Sequence, residues 1–354
     1  MIFVVAKNTI TSLNRVADLK VPKSNETFDV PTEECLSKCV QQFSKVYDEQ
    51  FGGFSTAPKF PQPTILNFLF HVYSKDKNSE RGKKCLKMCL HTLKKIAYGG
   101  IHDHVNTGFA RYSVDGRWHV PHFEKMLYDQ GQLIVSYCDA YVLSRDEFYA
   151  AVVDDIANYV CRDLSDSSGG FYGAEDADSY PYLNAPHKQE GAFCVWEWDE
   201  INNILDGTTD NVSHQELFRY HFNIKEGGNV SPAQDPHGEL KNKNVLVVFG
   251  SNEETAEKFN ITVDKVKHIV SKCTQNLYEE RLKRPKPHVD TKMVTSWNGL
   301  MISGLAKAGF VLKKEMYIKR AVDAANFVRK CMFNEESGTL LRCCYKGDEN
   351  VVQM

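Results

Sequence analysis

The stretch RWHVPHFEKMLYDQGQ, Arg117 to Gln132, gathers two histidines, a glutamate, an aspartate, a tryptophan and a tyrosine around one proline. Just upstream lie His102, Asp103, His104 and Arg111, so these four join Trp118, His119, His122 and Glu124 within the 23 positions from His102 to Glu124. Histidine titrates near neutrality, and positioned carboxylates serve as acid and base. Glu124, Asp129, His102 and His122 are therefore candidate proton-transfer groups, and Arg111, Trp118 and His119 candidate ligand contacts. The plainer alternative is that Glu124 complements a helix dipole and the histidines hydrogen-bond where the helix begins.

A second cluster, GAEDADS, sets Glu175, Asp176 and Asp178 together. Crowded carboxylates raise one another's pKa, as a general acid requires. Asp176 and Asp178 join the catalytic candidates and Glu175 the binding ones; a solvated turn is the plainer reading. Calcium fits poorly, because the closing glutamate of an EF-hand loop is missing. The third cluster, TSWNGLM, offers Trp297 to cover a sugar face and Asn298 to read hydroxyls. Its plainer reading is a buried tryptophan and an asparagine at a helix start. Phosphate loops, serine nucleophile elbows and H-E-x-x-H are absent. His102 and His104 lack further ligands at metal spacing, so no metal and no cofactor is expected.

These residues must be held by helices. The spacing predicts long helices from about Thr32 to Tyr47, and over Pro63–Tyr73, Arg81–Tyr98, His122–Leu143, Glu147–Leu164, Val263–Leu282, Ser296–Leu312 and Glu315–Met332. In the fourth, Phe123, Leu127, Gln130, Ile134, Tyr137 and Tyr141 form the core stripe, with Glu124 on one edge and Asp129 on the other. Glycine pairs at FGGF, YGGI and SGGF punctuate the chain and are expected to supply left-handed caps. Residues 180–250 interrupt the pattern with AFCVWEW and NVLVVF, read as short β runs in an insertion. Residues 1–30 read as irregular. The fold class is mainly α, built from antiparallel hairpins with long decorated loops.

Composition narrows the function. The chain has 354 residues and a formal charge of −3, which gives no electrostatic reason to expect nucleic acid or an anionic membrane surface. No apolar run approaches a membrane span, and the N-terminus lacks a signal-peptide pattern. The eleven cysteines contain no C-x-x-C pair and read as reduced thiols in a cytoplasmic setting, although sequons at Asn25, Asn211, Asn229 and Asn260 point the other way. Nothing indicates an oligomeric state.

Six stretches in order, GGFSTAPKFPQP, GGIHDHVNTGFARYS, RWHVPHFEKMLYDQGQL, GGFYGAEDADS, SPAQDPHGEL and RPKPHVDTKMVTSWNGLM, resemble the spermatogenesis-associated protein 20 family from about residue 30 to about residue 346. The resemblance implies an incomplete (α/α) toroid of the six-hairpin glycosidase type over 31–354, with the insertion at about 180–250. It implies carbohydrate metabolism, through a glycoside hydrolase or a sugar epimerase. Glu124 would pair with Glu175, Asp176 or Asp178 in the hydrolase, and His102, His119 and His122 would be the bases of the epimerase. The family's thioredoxin-like domain with its cysteine pair is missing here, and its toroid continues further, so the chain is expected to be a fragment, an isoform or a truncated gene product. A non-catalytic glycan- or protein-binding scaffold with a role in spermatogenesis is the alternative. A thioredoxin-linked redox role would reside in the missing domain. A sugar or glycan is the expected ligand.

Overall fold

A computed structural model describes residues 10–11, 33–346 and 351–353. The Asn25 sequon lies outside the described residues, as does the expected irregular segment 1–30 apart from residues 10–11. The chain divides into two compact units, Met1–Gln42 and Phe43–Met354. The helix Glu33–Val46 (α1) begins in the first with two acids that suit its N-terminus, and Glu34 pairs with Lys38 at 2.6 Å across one exposed turn.

The second unit is mainly helical, as expected. Three hairpins come from consecutive helices joined by short loops. They are Pro63–Lys75 (α2) with Glu80–Tyr98 (α3), Leu127–Ser144 (α4) with Glu147–Asp163 (α5), and Thr295–Leu312 (α10) with Glu315–Met332 (α11). Their first members stand side by side, α2 against α4 and α4 against α10, while each second member packs on its own partner. This is the repeating arrangement of an (α/α) toroid. The α4–α10 crossing is close because Gly131 and Gly304 face it: a Cβ on Gly131 would lie 2.9 Å from the Met301 nitrogen, and one on Gly304 2.3 Å from Ile134 Cγ2. Leu66, Leu93, Ile96, Leu133, Ile134 and Tyr137 are buried between the hairpins.

Four expectations change. Helix α4 starts at Leu127, five residues later than expected. Pro121–His122 pairs instead with Tyr112–Ser113, and Lys125–Met126 with Ala174–Glu175, so ladder bonds claim the backbone that the periodicity assigned to a helix. Glu124 thus lies on extended chain. The apolar runs of the 180–250 region are not strands beyond one bridge, Trp196 to Asn244. They are apolar because Phe193, Val195, Trp196, Val245 and Leu246 are buried. The region also carries the helices Trp198–Ile204 (α6) and His214–His221 (α7); Asn252–Phe259 (α8) follows. With Val263–Arg281 (α9), α6 and α7 build a second core around Trp196, Ile201, Leu217, Phe218, Ile269 and Leu277. Finally, Gly99 and Gly100 are not left-handed. They are needed for close approach: added Cβ atoms would lie 2.4 Å from the Trp118 carbonyl oxygen and 2.0 Å from that of His119. Helices α4, α8 and α10 end instead on left-handed Arg145, Asn260 and Lys313.

The loops that enter α4 and α10 are tied at one end of the hairpins. Lys125–Met126, Ala174–Glu175 and Val289–Asp290 form one three-stranded sheet. That sheet fixes the first turns of α4 and α10 beside each other.

Candidate functional site

Gln130, in the first turns of α4, pins the loop that carries Arg111. Its amide accepts from Phe109 N at 3.0 Å and donates to Phe109 O at 2.7 Å. Two residues on, Arg111 N donates to Glu124 O at 2.9 Å, which sets their side chains on neighbouring strands. The Arg111 guanidinium lies 3.5 Å from Glu124 Oε2 and over the Tyr128 ring at 6.0 Å. Tyr128 meets Trp297 edge to face, with centroids 5.0 Å apart. The α4–α10 crossing thereby closes an aromatic corner beside a carboxylate and a guanidinium.

His122 completes this face. Its ring stacks on Tyr112 at 5.1 Å; Nδ1 lies 2.6 Å from Glu190 Oε1, and Nε2 3.8 Å from Glu124 Oε2. The hydrogen bond to Glu190 holds the imidazole above its ordinary pKa against the opposing effect of burial, and holds Glu190 below the usual carboxylate range.

Asp129 is the most perturbed acid of the group. It sits in the first turn of α4, 9% exposed, and Oδ2 has no hydrogen-bond partner among the described residues. Burial pushes its carboxyl up to about 7; Arg111 pulls it down and Glu124 pushes it up. An acid near neutrality with a second carboxyl, Glu124, acting on it is a charge arrangement that proton transfer can use.

Other sequence candidates lie elsewhere. Glu175 pairs with Lys125 across the ladder, and Tyr159 Oη donates to it at 3.2 Å. Successive strand residues face opposite sides, so this buried pair turns away from Glu124. Burial raises Glu175's pKa, opposed by Lys125. Asp176 bonds exposed Lys188 at 3.2 Å. Asp178 is exposed on the strand paired with Glu190, and burial, Asp176 and Glu190 raise it. Asn298 is fully buried, bonding Phe171 N at 2.8 Å and Phe171 O at 3.0 Å, and so secures a turn. Trp118 is buried too, with φ of 63° and Nε1 donating to Phe51 O at 2.8 Å.

Both ring nitrogens of His102 are occupied, by Ala97 O and Asp155 Oδ2 at 3.0 Å each. Those partners outweigh burial and raise its pKa, while burial and His102 together hold neighbouring His104 well below the ordinary value. His119 is bonded on both sides as well, by Asn229 and Gln234 at 3.3 Å. Asn229, one of the sequons, has its amide spent on Asn223 O, Val245 O and Val245 N.

Glu190, Tyr112 and Tyr128 belong to the site and were not singled out in the sequence. Tyr128 stands inside the opening stretch; Glu190 lies 68 positions from His122, with no local signal. Also unseen was the buried knot behind the site. Asp103 accepts from Arg281 Nη1 at 2.7 and 2.8 Å and from Lys125 Nζ at 2.9 Å. Burial opposes ionisation of Asp103, but the two cations hold it well below the usual range.

No family model matches the chain. It is 46% identical over 342 residues to spermatogenesis-associated protein 20 of Homo sapiens, covering 96% of this chain and 42% of that protein. The Rattus norvegicus protein of the same name is 44% identical over the same coverage. An uncharacterized protein of Caenorhabditis elegans is 42% identical over 91% of this chain and 44% of its own length. The chain therefore spans less than half the length of these curated relatives. Among solved structures, a sugar epimerase from a ruminal bacterium superposes with a TM-score of 0.34 at 12% identity, over 90% of this chain and 94% of that one. A family 76 glycoside hydrolase from a bovine Bacteroides thetaiotaomicron strain gives 0.33 at 11%, over 91% and 60%. Sequence likeness along nearly the whole chain places it in the spermatogenesis-associated protein 20 family.

Proposed function

We propose that the face formed by Arg111, His122, Glu124, Tyr128, Asp129 and Trp297 binds a sugar and acts on it by acid–base chemistry. The observation that carries this reading is Asp129, whose carboxyl is pushed up to about 7 while one of its oxygens lacks a partner. Asp129 is the general acid and Glu124, beside Arg111, the general base; His122, with Nε2 3.8 Å from Glu124 Oε2, positions that base. Tyr128 and Trp297 offer ring faces to the apolar side of a pyranose. Two carboxyl groups support hydrolysis, whereas a base and an acid beside a carbonyl carbon support epimerisation.

The test is turnover of a panel of mono- and disaccharides, read by chromatography for cleavage and for interconversion. Asp129→Asn is expected to lower turnover by about a hundredfold or more while binding persists. Trp297→Ala is expected to weaken binding. Full turnover by Asp129→Asn would sink the catalytic reading. Binding by the wild type with no turnover of any sugar would favour a glycan-binding scaffold, which the Tyr128–Trp297 corner also suits.

A further inference from the structure

A separate cleft of about 690 Å³ opens between three loops, near residues 48–57, 115–119 and 223–234. Two carboxylates line it, and both are already satisfied. Asp48 accepts from Lys59 Nζ at 2.6 Å and from the Gln50 and Phe51 N–H groups at 2.9 Å each. Asp115 accepts from the N–H groups of Arg117 at 2.7 Å, His119 at 3.2 Å and Val120 at 2.8 Å, and from Gln234 Nε2 at 2.7 Å. Burial opposes ionisation of each, yet these donors hold both carboxyls below the usual range.

The cations differ. Arg117 and Lys225 line the same cleft, and neither has an ion-pair partner among the described residues. Arg117 is steadied over the Phe51 ring at 5.9 Å, and Phe51 also lines the cleft. Burial lowers the His119 pKa, opposed by Asp115 and the Asn229 hydrogen bond and helped by Lys225 and Arg117, so the fields of both cations reach the wall that His119 shares with them. His119 is neutral for a structural reason too. Asn229 Oδ1 accepts from Nε2, and Gln234 Nε2, fixed by its bond to Asp115, donates to Nδ1. It adds hydrogen-bonding rigidity but no competing charge. Beneath the rim, fully buried Lys59 also bonds Gly116 O at 3.0 Å and joins two of the three loops. The cleft thus has rigid walls, spent carboxylates, one aromatic ring, and two unspent cations supplied by different loops.

We propose that this cleft binds a phosphate-bearing small molecule, with Arg117 and Lys225 engaging the phosphate oxygens. A phosphate presents three acceptor oxygens, enough for an arginine fork and a lysine point charge at once. The volume suits a small molecule. The site is independent of Asp129 and does not rest on the sugar reading.

Isothermal titration of the full chain with inorganic pyrophosphate at low ionic strength tests it. Saturable binding is expected. Arg117→Met and Lys225→Met should each weaken it by about tenfold or more. Both side chains are exposed, so the variants should keep the wild-type far-UV spectrum and thermal midpoint. Lys225→Arg should retain the affinity, and Asp129→Asn should leave it unchanged. No saturable heat at millimolar pyrophosphate would overturn the proposal. So would wild-type affinity in the double variant, or equal losses in Lys225→Arg and Lys225→Met.

Discussion

At Asp129 a single proton links stability to the proposed chemistry. Its carboxyl titrates near 3.9 in an unfolded chain and at about 7 here. Between those values the native state holds a proton that the unfolded chain has released, so the wild type loses stability as pH rises through that window. Asn carries no such proton. Asp129→Asn is therefore expected to gain on the wild type from about pH 4 upward and to level off above about pH 7, by at most roughly 4 kcal/mol. Urea unfolding at about pH 5 and about pH 8 measures the gap; an unchanged gap would mean that Asp129 titrates normally. His122 runs in the same sense with pH. Its raised pKa contributes stability that is complete below the unfolded value and is lost as pH rises through the folded one. Glu190→Gln keeps the shape and removes the charge, so the His122 pKa measured by NMR titration is expected to fall. A stationary value would show that Glu190 does not tune it.

At the scale of elements, the long helices were legible because each buries one face at helical period. The hairpin partners Glu80–Tyr98 and Glu147–Asp163 match the periodicity almost residue for residue. What periodicity could not show is where hydrogen bonds with a distant segment take over. Pro121–Met126 carries the helical pattern, yet its partners at Tyr112–Ser113 and Ala174–Glu175 make it extended. That switch moves Glu124 off the helix and beside Arg111, and it turns Glu175 away. Helices α6 and α7 were missed because their apolar residues serve a second core whose partners lie on α9. The aromatic corner depends in turn on the α4–α10 crossing. Gly131→Ala gains helix propensity, but its Cβ would stand 2.9 Å from Met301 N and 3.0 Å from the Leu300 carbonyl carbon. Backbone cannot yield cheaply, so a loss of about 1–3 kcal/mol is expected from thermal unfolding. A neutral Gly131→Ala would show that the crossing has slack.

Across the second unit, sequence-distant pieces are fastened at one point. Arg281, at the end of α9, reaches Asp103 in the loop after α3, 178 positions away, and also donates to Cys194 O at 2.8 Å. Its guanidinium lies 5.3 Å over Trp196 in the second core. Lys125 joins Asp103 from the other side, next in sequence to Glu124. The second core and the loops of the proposed site therefore share one buried charge knot. Nothing in the sequence marks it, because its members are spread over 103, 125 and 281. Arg281→Met removes one cation and leaves Asp103 with Lys125 alone in a dry setting, at an expected cost of about 3–5 kcal/mol. The loss should also be local. Hydrogen exchange is expected to rise at the Asp103–Gly108 loop and at Gly191–Val195, whose carbonyls and N–H groups the knot orders, while α10 and α11 keep their protection. Uniformly faster exchange would mean that Arg281 supports the whole unit. Unchanged exchange with unchanged stability would mean that Lys125 alone suffices to hold Asp103, and that the second core is anchored by its apolar contacts.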